Sequence, residues 1–179
     1  HRAIARAALD ALGYEHLAVP DELEVEMLPG VITEWRMRPA TKQEAEGLTA
    51  EHVTALDPSQ SVWETSSLPE PDAMDHWWAE QERQRGFAQR VSKYVGEGKQ
   101  YLGVANIKAD ARRDVYFNTG GHLQAIWLNG EKIWQHPGEW TGWHAGKERI
   151  PAQLQPGENT IVIETGNVFF LSVTDDQRW

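Results

Sequence analysis

The stretch QAIWLNGEKIWQHPGEWTGWHAGKERIPAQLQPGEN, residues Gln124–Asn159, decides how this chain is read. Ala125–Leu128 is an apolar run, Asn129-Gly130 is a two-residue turn, and Glu131–Gln135 returns. Asn-Gly favours the type I′ turn, whose central residues need positive φ and whose twist matches that of paired strands. A regular hairpin then pairs Leu128 with Glu131, Trp127 with Lys132, Ile126 with Ile133 and Ala125 with Trp134. Ile126 and Ile133 would share one face, and Ala125, Trp127 and Trp134 the other. A loop rich in Trp, His and Gly follows (His136–Gly146). A strand over Lys147–Leu154 comes next, and Gln155–Asn159 turns the chain into another.

Downstream, Asn159–Thr165 alternates with Ile161 and Ile163 inward. Gly166-Asn167 reads as a tight turn, and Val168–Thr174 as the closing strand. Upstream, Asp114–Asn118 is a short strand, and Thr119-Gly120-Gly121 turns from it into the hairpin. Lys99–Asp110 alternates through Tyr101, Gly103, Ala105 and Ile107. Gly86–Val95 also reads as a strand, with Phe87, Val91 and Val95 alike and Glu97-Gly98 as the turn after it. Val31–Arg38 places Val31, Thr33, Trp35 and Met37 on one side and is expected to be the first strand. Short strands separated by glycine-rich turns argue for a β-sandwich. No helix alternates regularly with them, which argues against a parallel α/β sheet.

The remaining segments are less regular. Arg2–Leu12 has Ile4, Ala8, Leu9 and Leu12 at helical spacing, with Gly13 as a stop. Glu15–Gly30 is acidic and punctuated by proline, as in an extended linker. Thr41, with Glu44 three residues on, matches a capping box. Thr49–Ser67 reads as loop with Trp63 as its anchor. In Pro69–Arg85, Asp72 caps an expected helix carrying Met74, Trp77, Trp78 and Gln81. Adjacent helical tryptophans diverge by about 100°, so the segment either packs on the sandwich or offers one indole to a ligand.

The W-L-N-G hairpin, the GWH-like loop and the L-x-P-G-E-N-x-I-x-I corner together resemble the galactose-binding-like β-sandwich over roughly Gly86–Asp176. The resemblance implies an all-β, antiparallel jelly roll, here with a short N-terminal helix and an irregular, partly helical insertion. The expected division is residues 1–30 for the helix and linker, and 31–179 for the sandwich with the insertion at about 39–85. Such folds occur as sugar-binding or accessory modules of glycoside hydrolases and polysaccharide-degrading enzymes. The resemblance thus implies a non-catalytic carbohydrate-binding module of a bacterial enzyme, secreted, periplasmic or at the cell surface, with a glycan and a catalytic domain of the same polypeptide as partners. The alternative is a structural sandwich that packs on a catalytic domain and binds no sugar, using the acidic linker and the N-terminal helix as its docking surface. A small hydrolase or lyase is the third reading.

The loop supplies the candidate ligand contacts. Aromatic walls with a few placed polar groups suit a sugar, whose C–H faces stack on indoles while its hydroxyls find hydrogen bonds. Trp134, Trp140 and Trp143 are the candidate stacking rings, and His136, Glu139, His144 and Asn167 the candidate hydroxyl partners. The competing reading has these rings capping the open end of the sandwich. The resemblance implies that Trp127, in the position before L-N-G, is framework. His122, His136 and His144 match no zinc spacing. No cofactor is expected beyond a structural calcium, which the resemblance implies as an option with ligands unnamed.

Composition narrows the classes. The chain has 179 residues and a formal net charge of −10, with 17 basic residues against 27 acidic. Its arginines, such as Arg83, Arg85, Arg90, Arg112 and Arg113, form no stripe, so nucleic acid is not an expected partner. Arg112 and Arg113 read as guards of a strand edge. There is no cysteine, which removes disulfides, thiol nucleophiles and zinc thiolates. No apolar run reaches the roughly 18–20 residues that span a bilayer. The chain begins at His1 without an initiator Met, and a processed or excised piece is expected. Nine tryptophans are many, and tryptophan anchors cores and binding faces alike. Asp75, Glu80, Glu139 and Glu148 are candidate carboxylates for glycoside hydrolysis, but 27 acids make a chance pair easy to find.

Overall fold

The computed structural model describes residues 2–19, 26–67, 77–138 and 144–176. The chain runs α1 (Arg2–Ala11), β1 (Glu34–Ala40), α2 (Lys42–Glu46), α3 (Ala50–Thr54), β2 (Glu64–Ser67), α4 (Trp77–Gln84), β3 (Ala88–Gln89), α5 (Val91–Val95), β4 (Gln100–Ala109), β5 (Arg113–Leu128), β6 (Glu131–Gln135), β7 (Arg149–Leu154) and β8 (Gly157–Thr174). The strands form one hydrogen-bonded sheet in the order β2-β1-β4-β8-β5-β6, with β3 also on β8 and β7 also on β5. The strand pairs are antiparallel.

Two long strands turn this sheet into a sandwich. The first half of β8 pairs with β4 through Thr165, and its second half takes β3 at Val168 and Phe169. Likewise β5 lies beside β7 over Arg113–Asn118 and beside β6 over Ala125–Leu128. Between these halves the β5–β8 register shifts twice, between Gly121 and Ala125. Such irregularities bend strands and increase twist. The fold-over brings Trp35 of β1 edge-on to Phe169 of β8, centroids 5.5 Å apart at 89°, although β4 and the first half of β8 separate them in the sheet. The main core lies between the layers, with Trp35, Met37, Tyr101, Ile126, Ile161 and Ile163 facing Phe117, Leu154, Phe169 and Leu171. A second cluster covers the outer face of the first layer, where Leu48, Val53 and Trp63 pack on Leu102, Val104, Ala125, Trp127 and Val162.

The all-β antiparallel reading therefore holds, with corrections to its parts. Thr119-Gly120-Gly121 and Gly166-Asn167 are not turns. Each lies inside a continuous long strand, at the bend. Gly86–Val95 is not one strand. After β3 the chain enters α5, where Val91 and Val95, four apart, are both buried. Asn167 fixes that entry, its Oδ1 accepting from Ser92 N at 2.8 Å. The expected loop Thr49–Ser67 contains α3, with a capping box between Thr49 and His52, and β2, paired with β1. Trp63 anchors it as expected, 5% exposed, with the Arg38 guanidinium 4.9 Å over its ring. Only half of the Thr41 box forms. Thr41 accepts from Glu44 N at 3.1 Å, while the Glu44 carboxylate is drawn to Arg38 and is held below its ordinary pKa by that bond. The helix α1 agrees with the expected one. Asp72 and Met74 lie outside the described residues, as do the Trp77 and Trp78 side chains.

The two turns singled out in the sequence are locked to each other. Asn129 takes positive φ, 52°, as the type I′ reading requires. Its Nδ2 donates to Asn159 Oδ1 at 2.9 Å, and its Oδ1 accepts from Thr160 N at 2.9 Å. Asn159, fully buried, also bridges Gln155 through both ends of its amide, each at 2.8 Å.

Candidate functional site

The hairpin leading to the site departs from the regular pattern at one residue. Leu128 faces Glu131 and Trp127 faces Lys132 as expected, but Ile126 then faces Trp134 and Ala125 faces Gln135. The bulge places one extra residue on β6, and a one-residue slip moves a side chain to the opposite face. Trp134 is thereby taken off the face of Trp127 and packs, half-buried, against the main core. Trp127 stays on the other face, 1% exposed, with Lys132 Nζ 4.9 Å over its ring. It is framework, as the sequence reading has it.

Beyond β6 the loop is held at both ends by β5. His136 N donates to Gln124 O at 2.7 Å. On the returning side Lys147 N donates to Thr119 O, and Thr119 N to Glu148 O, both at 3.0 Å. Two side-chain links join these ends. Trp134 Nε1 donates to Glu148 Oε2 at 2.5 Å, and Lys147 Nζ lies 3.2 Å from His136 Nε2. The Trp134 and His136 rings meet edge-on, 5.9 Å apart at 84°. The loop stem is thus a clasp of one indole, one imidazole, one carboxylate and one ammonium.

Both nitrogens of His136 face donors, since Gly138 N lies 3.0 Å from Nδ1. The neutral ring can accept one of these bonds, whereas an imidazolium would set donor against donor at both. Burial, followed by the Lys147 charge, pushes the His136 pKa down, and Glu148 opposes the shift. A depressed histidine pKa means that the folded state binds fewer protons than the unfolded one. Its contribution to stability is present above the ordinary pKa and is lost as pH falls through the depressed value. Lys147→Gln removes the charge and leaves the burial, so the ring pKa is expected to move back part of the way towards the ordinary histidine value. An NMR titration of the His136 ring checks this, and a pKa that stays put or falls in the variant contradicts the assignment.

The other sequence candidates are distributed as follows. His144 is exposed, and its carbonyl passes 2.9 Å from where a side chain on Gly120 would begin. Glu139, Trp140 and Trp143 lie outside the described residues. Asn167 lies in a separate open concavity of about 490 Å³ with Lys99, Gln100, His122 and Gln124, which meets the stem at Gln124. Its side-chain oxygen is committed to the start of α5. Of the candidate carboxylates, Glu148 is the indole's partner, and the Asp75, Glu80 and Glu139 side chains are outside the description. Lys147 was not singled out in the sequence. Its role depends on a loop closure that no local pattern reports. Among the described residues no group of three or more His, Asp or Glu converges on one point.

No family model matches this sequence, and no curated protein matches it. Among solved structures the chain is similar to a β-glucuronidase from Faecalibacterium prausnitzii, at 14% identity and a TM-score of 0.45, covering 83% of this chain and 22% of that one. It is similar to a glycosyl hydrolase family 2 member from Bacteroides cellulosilyticus, at 17% identity and a TM-score of 0.45, covering 80% and 20%. A family 35 carbohydrate-binding module from Clostridium thermocellum matches at 20% identity and a TM-score of 0.32, covering 44% and 72%. The chain spans about a fifth of the length of the two hydrolases it matches.

Proposed function

We propose that this chain is a non-catalytic carbohydrate-binding module of a bacterial glycan-degrading enzyme, acting outside the cytoplasm. The observation that carries the reading is the Trp134 indole. It is half-buried, its Nε1 is satisfied by Glu148, and its orientation is fixed by the clasp. A ring held in this way loses little conformational freedom when a sugar stacks on it, which is the benefit of a preorganised site. His136 meets the indole edge-on and braces it from the side. Trp140, Trp143, Glu139 and His144 are proposed to complete the surface from the loop. The hairpin and corner motifs that resemble galactose-binding-like modules support the same reading.

The test is isothermal titration against a panel of neutral and acidic polysaccharides. The wild type should bind at least one member. Trp134→Ala should weaken that binding by about tenfold or more, the order expected when a central aromatic anchor is removed. A panel with no binder, or binding untouched by Trp134→Ala, overturns the proposal.

A second reading, a structural module docked on a neighbouring domain, is supported by a different feature. Ile4, Leu12, Tyr14 and Leu17, on and just after α1, are 73%, 69%, 50% and 44% exposed. Large apolar side chains left in water on one short segment are what a surface buried against a neighbouring domain would supply.

A further inference from the structure

The clasp at the loop stem suits one protonation state of its imidazole. His136 Nε2 lies 3.2 Å from Lys147 Nζ, and Nδ1 lies 3.0 Å from Gly138 N. A neutral ring can accept the lysine's proton donor. An imidazolium is a donor at both nitrogens and an acceptor at neither, and its charge would stand beside the Lys147 ammonium. Among the described residues the charged groups that act on the ring are Lys147 and Glu148, both on the returning side of the stem. The strand β5 meets His136 through the Gln124 carbonyl, which takes its backbone N–H. The strand β6 presents the edge of the Trp134 ring.

An imidazolium at this point has one attractive direction. Glu148 already favours the charged ring, but in the neutral clasp its Oε2 accepts from the Trp134 indole at 2.5 Å. A carboxylate that exchanges a neutral donor for a cationic one adds Coulomb attraction to the hydrogen bond. The indole then loses its acceptor and its edge-on brace in one event. We propose that His136 is an acid-operated latch on the Trp134 site: protonation moves its ring from Lys147 to Glu148, the indole is freed from both partners, and a bound glycan is released. The release of a glycan rests on the binding reading above, whereas the exchange of partners at the stem does not. Burial and the Lys147 charge lower the His136 pKa, so the latch is closed at neutral pH and opens below the ordinary histidine value. If the closed form alone binds, apparent affinity falls by up to about tenfold for each pH unit below the midpoint, in proportion to the closed fraction.

The experiment is heteronuclear NMR of the ligand-free chain between about pH 7.5 and about pH 5, which brackets the ordinary histidine range. It follows the His136 ring and the Trp134 indole N–H together, with circular dichroism recorded at each pH. The expected result is one shared midpoint, with solvent exchange of the indole N–H at least about tenfold faster on its acid side, as for a bond that opens locally. His136→Gln keeps an acceptor for Lys147 and carries no titrating charge, so its indole signal should stay at the neutral-pH position throughout. An indole N–H that ignores the His136 titration overturns the latch. So does an acid response that persists in His136→Gln, or one that coincides with loss of the folded circular dichroism spectrum. Isothermal titration with the polysaccharide panel over the same pH range then tests release. Wild-type affinity should fall towards acid pH, and that of His136→Gln should stay flat. Binding through Trp134 that is equally flat in the wild type overturns the latch and leaves the glycan reading standing. A shared midpoint at the stem, with no polysaccharide bound at any pH, overturns the glycan reading and leaves the exchange of partners standing.

Discussion

Trp35→Ala is expected to destabilise the fold by about 3–5 kcal/mol, the range for removing a fully buried tryptophan from a core. Trp35 is 2% exposed and belongs to the first layer, yet its ring lies edge-on to Phe169 of the second. Its Nε1 donates to Ile32 O at 2.9 Å, so truncation also strands a carbonyl. Beneath it Gly103 gives the ring room. A side chain there would begin 3.1 Å from Trp35 and 2.9 Å from Ile163. With no bulk at Gly103 to collapse inward, the cavity left by Trp35 stays open, which puts the cost in the upper part of that range. Urea denaturation at equilibrium measures it. A loss below about 1.5 kcal/mol, the scale of an ordinary volume-conserving core swap, would mean that the layers are not joined through this ring.

The contrast between Trp35 and Trp134 shows how far the sequence could be read. The alternation through Val31–Arg38 placed Trp35 and Met37 inward, and both are buried. The Asn-Gly turn and the Pro-Gly-Glu-Asn corner were legible because a local φ requirement or a short polar turn determines each. Trp134 was legible as a site residue, but its face was not. A single bulge between Asn-Gly and the loop reverses it, and nothing in Glu131–Gln135 marks a bulge. Lys147 and Glu148 become site residues only because of that reversal and because Thr119 ties them to β5. The helix α5 was missed for a related reason. Val91 and Val95 suit a buried strand face as well as a helix, and the residue that favours the helix, Asn167, is far along the chain. Glycine misled the reading in the same way. Gly120-Gly121 and Gly166 look like turns to any local rule, and only the long-range pairing of β5 with β8 converts them into bends.

That conversion makes Gly121 the second position of large expected effect. Its φ is +67°, a region that costs an L-residue roughly 1–2 kcal/mol. Conformation is only part of the constraint. A Cβ there would lie 2.7 Å from Val168 O and 2.9 Å from Phe169 Cα. Both are backbone atoms on a segment that β5 holds from one side and β3 from the other. They cannot recede without breaking strand pairs at the fold-over. Gly121→Ala is therefore expected to cost about 2–4 kcal/mol, adding strain at a fixed contact to the cost of positive φ. Gly157→Ala is the internal control. Its φ is +95°, and nothing lies within 4 Å of its would-be Cβ, so it carries the conformational cost alone, about 1–2 kcal/mol. Urea curves of the two variants, recorded side by side, separate the contributions. Equal losses would show that close approach at the bend costs nothing. The fold-over would then not depend on the two long strands meeting backbone to backbone at Gly121.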